Sequence, residues 1–167
     1  MRTVKKIALC GILTALALLS FALENLFPPL FVPGARVGIS NIFVLLAVIL
    51  LGAPWGFAAL ILKCVLGSLF SGNIFAVVYS LPAGAVALTV EVLLLFFTEK
   101  VSVVAISVAG AAVNAAIQNA TYCLITENLY FISYLPYSVG VGVAGGIIVG
   151  FAVYLISKAL PKGFLGD

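Results

Sequence analysis

The sequence contains no histidine, a single aspartate at its last position (Asp167), and charged side chains at only 8% of its positions. Without histidine the chain lacks both the usual proton shuttle near neutral pH and the commonest transition-metal ligand. With one aspartate it cannot build a paired-aspartate site for Mg²⁺. Neither a phosphate-binding loop lysine motif, a nucleophile elbow nor an HExxH segment is present. No catalytic role, cofactor or metal is therefore expected. The scarcity of charge also excludes a soluble fold, whose surface carries about 25% charged residues. At 65% hydrophobic residues and a mean hydropathy of +1.35, the chain reads as an all-α integral membrane protein.

Other shortages narrow the reading further. A net charge of +3, scattered along the chain, gives no basic run with interleaved aromatics, so a nucleic-acid partner is not expected. The three cysteines, Cys10, Cys64 and Cys123, have no CxxC spacing and fall on three different helices. They imply neither a disulfide framework nor a metal site and read as small apolar packers. The N-terminus, MRTVKKIALCGILTALALLSFAL, begins like a secretory signal. Its apolar run is longer than the roughly 7–15 residues of such a signal and lacks a clear cleavage site. It reads as a first membrane helix that is retained.

What is present is a series of apolar runs near the length of about 20 residues that spans a bilayer. The expected helices are roughly 6–26, 39–51, 54–70, 74–97, 101–125 and 137–159, forming one domain over 1–167 with no internal repeat. The second is short, so it is expected to tilt or to begin below the surface. The linker FPPLFVPGARVG cannot continue a helix, because prolines and glycines leave its backbone groups unpaired. Pro54 suits the first turn of the third helix, and Pro82 is expected to kink the fourth. With both termini cytoplasmic, Arg2, Lys5, Lys6, Lys100, Lys158 and Lys162 lie inside the cell and Arg36 outside, the expected bias for a multi-pass cell-membrane protein.

Counted along these helices, the polar groups favour the outer half of the bilayer. Glu24, Ser40, Asn41, Tyr79, Ser80, Asn114, Gln118, Tyr137 and Ser138 gather there, with Arg36 at the mouth. Unpaired polar groups in lipid cost several kcal/mol each, so this gathering implies an outward-facing polar pocket that binds a small molecule. The candidate lining residues are Glu24, Arg36, Asn41, Lys63, Tyr79, Asn114, Gln118 and Tyr137. Lys63, near the midplane, is expected to form the pocket floor. Snorkelling toward an interface and an ion pair with Glu24 or Glu91 are its structural alternatives. On the fifth helix Ser107, Gly110, Ala111, Asn114, Gln118 and Thr121 share one face. Gly142, Gly146 and Gly150 mark close packing of the sixth helix. Ala8, Gly11 and Ala15 form a weaker small-residue stripe on the first.

The runs VPGARVGISNIFVLLAVILLG and LGSLFSGNIFAVVYSLPAGAVALTVEVLL resemble the Gx transporter family. That family is often labelled heptaprenyl diphosphate synthase component I and is grouped with the S components of energy-coupling factor (ECF) transporters. The likeness is most specific at Pro33-Gly34, Gly38-Ile39-Ser40-Asn41 and from Gly67-Ser68 through Gly72 to Tyr79-Ser80. Where that family has a His-Asn pair on the fifth helix, Asn114-Ala115 stands here, which argues against a proton-linked role at that point. The resemblance implies a six-transmembrane-helix bundle of ECF S-component type with an extracytoplasmic pocket. It also implies docking through Ala8, Gly11 and Ala15 onto a transmembrane coupling protein driven by two cytoplasmic ATPases. A vitamin, flavin or quinone-like ligand is the implied substrate class. The alternative is a non-transporting membrane scaffold for a prenyl/quinone or flavin-based extracellular electron-transfer pathway.

Overall fold

The structure, a computed structural model, describes residues 3–26, 38–97 and 101–160. Arg36 and the proline-rich linker lie outside the described residues, as do Arg2, Lys100 and Lys162. Among the described residues six α-helices follow one another: α1 Thr3–Leu26, α2 Asn41–Leu51, α3 Ala53–Phe70, α4 Ala76–Phe97, α5 Val103–Thr126 and α6 Leu135–Ala159. A 3-10 helix, Leu129–Tyr134, leads into α6, at the segment that follows the fifth apolar run.

Five of these segments are long and apolar enough to cross a membrane; α2, with 11 residues, is not. At 1.5 Å per residue α2 rises about 16 Å, roughly half of a 30 Å hydrocarbon core. It is therefore too short to cross that core by itself. The bundle's exterior is apolar, as lipid requires. Ile61 and Leu62 are 49% and 45% exposed, whereas the adjacent Lys63 is 7% exposed. The lysine faces the bundle interior and does not lie along the lipid side.

Local sequence explains the helix ends. Gly52 adopts φ +101° and lets the chain reverse between α2 and α3, with Pro54 in the first turn of α3, where its missing N–H costs nothing. Gly72 at φ +68° ends the segment after α3. The Ser102 hydroxyl accepts the Ala105 N–H and caps α5. Pro82 sits inside α4 without ending it.

Because lipid tails are as apolar as leucine, packing within the bilayer depends on close approach of small residues. The α5–α6 pair shows this. A Cβ added at Gly142 would lie 2.9 Å from the Ala115 methyl, at Gly146 2.9 Å from the Val108 Cα, and at Gly150 2.6 Å from the Val104 Cα. Glycine alone fits at these three positions of α6. Two apolar clusters pack the bundle: one, toward Trp55, centred on Leu45, Leu46, Ala59 and Val153, the other on Val44, Val48, Leu60 and Leu88. The three cysteines are buried and unpaired.

Candidate functional site

At the opposite end of the bundle the start of α2 is tied to its neighbours by polar side chains. Gly38, at φ +78°, turns the chain so that its carbonyl accepts the Asn41 N–H at 2.9 Å. The Glu24 carboxylate, near the end of α1, accepts the backbone N–H of Ile39. That bond satisfies an amide just before α2 and places negative charge near a helix N-terminus, where the helix dipole favours it. The Lys63 ammonium donates to Asn41 Oδ1 at 2.6 Å and to Ser40 Oγ at 3.3 Å. Gly-Ile-Ser-Asn is thus a turn followed by two acceptors for a buried ammonium.

Above and beside these bonds lies a cavity. Its upper chamber is lined by residues that include Phe21, Glu24, Ser40, Asn41, Lys63, Ser80, Asn114 and Gln118. A smaller lower chamber is lined by Leu88, Glu91, Ser107, Gly110, Ala111 and Asn114, among others. Gly38, Asn41, Leu60, Gly84 and Asn114 line both, so the chambers adjoin. From Gln118 to Ser107 the lining follows one face of α5 for eleven residues, a depth of about 16 Å. Two glycines shape the walls. A Cβ on Gly67 would stand 2.9 Å from the Phe21 ring, and one on Gly84 would stand 2.9 Å from a Leu60 methyl.

Of the residues selected from the sequence, Glu24, Asn41, Lys63, Asn114 and Gln118 come together around the upper chamber. Tyr79 and Tyr137 do not line it. Tyr79 instead packs edge-on against Tyr122, with centroids 5.9 Å apart, and Tyr122 packs likewise against Phe131 of the 3-10 helix. Tyr137 is 45% exposed. Arg36 lies outside the described residues.

The sequence reading missed how deep the polar lining goes. Glu91 enters the sequence reading only as a possible ion-pair partner of Lys63, whereas the structure places it in the lower chamber. Gly84, Ala87, Leu88 and Glu91 all line that chamber, and their i, i+3, i+4, i+7 spacing was a legible signal. A buried pair was also missed: Asn119 donates to Ser138 Oγ at 3.4 Å, linking α5 to α6.

A family model described as heptaprenyl diphosphate synthase component I matches residues 13–156. The chain belongs to that family. The match runs from α1 into the last turns of α6 and so includes every described residue of the cavity wall. No curated protein and no solved structure matches the chain. The family assignment therefore rests on sequence, and the cavity geometry rests on this structure.

Proposed function

We propose that this chain is the solute-binding membrane subunit of a small-molecule uptake transporter, of the S-component type. The observation that carries the reading is the cavity in which Glu24, Lys63, Asn114 and Gln118 converge from α1, α3 and α5. Convergent polar groups in a concave site suit recognition of a small molecule. The reading assigns no catalytic step to the chain, in keeping with the absence of histidine and the lone terminal aspartate. In it, both termini are cytoplasmic and the Glu24 end of the bundle faces outward.

A coupling partner fits the surface of α1. Ala8, Gly11 and Ala15 are all exposed, and a Cβ added to Gly11 meets nothing within 4 Å. Small residues on an open face allow a second helix to approach closely. We assign this face to a transmembrane coupling protein with cytoplasmic ATPases.

The family's description favours a second reading, a membrane scaffold in a prenyl or quinone pathway. The two readings differ in what the cavity holds. Protein purified from its own membranes is extracted, and the released molecules are identified by mass spectrometry. A polar small molecule present with wild type and lost from the Asn114→Leu, Gln118→Leu double variant supports the transporter reading. Lipid or isoprenoid alone, unaffected by the variants, supports the scaffold.

A further inference from the structure

The segment between α5 and α6 is apolar, yet it packs little of itself into the protein. Glu127 takes φ +50° and turns the backbone out of α5. The Asn128 side-chain oxygen then accepts the Tyr130 N–H at 3.0 Å and starts the 3-10 helix Leu129–Tyr134. Its sequence is LYFISY, and none of its residues is buried. Leu129 and Tyr130 are 75% and 82% exposed. At three residues per turn, Phe131 and Tyr134 share one column of this helix, while Leu129, Ile132 and Tyr130 occupy the other two. A contiguous apolar face left open in this way marks an interaction with protein or membrane.

What covers that face follows from the helix lengths. α5 has 24 residues and α6 has 25. At 1.5 Å per residue they rise about 36–38 Å, more than a hydrocarbon core of about 30 Å. The end that they share therefore lies at headgroup level. The apolar run Leu129–Ala159 has 31 residues, whereas one crossing takes about 20, so its first residues are surplus to the crossing. The exposed Leu124 and Ile125 carry the apolar exterior of α5 up to the segment. Phe131 packs edge-on against the Tyr122 ring, with centroids 4.8 Å apart, and pins the 3-10 helix to the flank of α5. The Phe131 column is thus turned to the protein and the other two are turned away from it.

We infer that Leu129–Tyr134 lies in the plane of the membrane as an interfacial anchor, with Leu129, Tyr130 and Ile132 set into the boundary between headgroups and acyl chains. A tyrosine suits that boundary, because its ring is apolar and its hydroxyl stays wet. Glu127 is the only charged residue from Glu127 to Ser138. With no lysine or arginine to attract an acidic headgroup, the segment takes the boundary of a neutral lipid. A second copy of the chain or another protein would cover the same face with side chains, and the test separates these occupants from lipid. The anchor stands whether or not the cavity holds a solute.

The test uses the full chain in nanodiscs of phosphatidylcholine brominated either near the glycerol end or near the methyl end of its acyl chains. The single native tryptophan is replaced, Trp55→Phe, and Tyr130→Trp supplies the reporter. Ile147→Trp, exposed in the middle of α6, reports the bilayer centre. The Tyr130→Trp emission is expected to be quenched about twofold more by the shallow bromines than by the deep ones, as for side chains seated at the headgroup boundary. Ile147→Trp should show the opposite order. A second readout keeps Trp55. Tyr130→Cys is labelled with a nitrobenzoxadiazole fluorophore, the buried native cysteines being left in place. Phosphatidylcholine spin-labelled at the same two depths should quench it in the same order. Equal or stronger quenching by the deep probes overturns the anchor and places the segment in the hydrocarbon core. Quenching by aqueous iodide with none from the lipid probes overturns it in favour of water. Shielding from iodide and lipid probes alike identifies protein as the cover and overturns it as well.

Discussion

The ammonium of Lys63, in the middle of α3, donates a 2.6 Å hydrogen bond to the side-chain oxygen of Asn41, the first residue of α2. This bond fixes where a helix too short to span the membrane begins, and it does so at the wall of the cavity. Lys63 thus has two tasks. It anchors α2, and it presents charge to the upper chamber. A charged hydrogen bond in low dielectric is strong when made and costly when one partner is removed.

That anchoring predicts non-additivity. Lys63→Met and Asn41→Leu should each lower the melting temperature. Together they should cost less than the sum, with a coupling of about 1.5–3 kcal/mol, the range for a hydrogen bond to a charged group. Thermal melts of the four proteins measure it. Additive losses would mean that the bond contributes nothing to folding.

The glycines of α6 predict a contrast along one helix. Gly150→Ala places a methyl 2.6 Å from the Val104 backbone, which cannot yield as a side chain end can. It should cost about 1–3 kcal/mol. Gly140→Ala meets nothing within 4 Å and should be neutral or stabilising by up to about 1 kcal/mol, the helix-propensity gain. Melting curves in the same detergent decide between them.

On α1, Gly11→Leu should leave the melting temperature unchanged, because the residue faces open space. It should abolish co-purification with a coupling protein, since a large side chain keeps two backbones apart. Retained association would place the docking face elsewhere.

Orientation is tested in a background lacking the three native cysteines. Asn128 and Lys158 are both exposed, at opposite ends of α6 and its leading 3-10 helix. Asn128→Cys should react with a membrane-impermeant maleimide in intact cells, and Lys158→Cys only after lysis. The reverse pattern would turn the cavity mouth toward the cytoplasm.

Much of the fold was legible because the apolar runs and their breakers state the helix limits directly. The third helix, expected over 54–70, and the start of the sixth, expected at 137, lie within two residues of those observed. The face of α5 was legible too, since Ser107, Gly110, Asn114 and Gln118 repeat with helical spacing and do line the cavity. Azimuth between helices was not. Periodicity shows which residues share a face, but not which neighbour that face meets. Tyr79 and Ser80 are adjacent in sequence and about 100° apart around α4, a separation set by 3.6 residues per turn. Ser80 lines the cavity, whereas Tyr79 turns to Tyr122. Glu91 was legible only as a possible partner of Lys63 for the same reason: Gly110, which it packs against, belongs to another helix.

The central claim is that the cavity beside Lys63 holds a polar solute. An experimental density map of the protein purified from its own membranes, without added ligand, tests it most directly. The account predicts a compact non-lipid density in the upper chamber, within hydrogen-bonding distance of Lys63, Asn114 or Gln118. An acyl or isoprenoid chain filling that chamber, or side chains collapsed across it, would contradict the account.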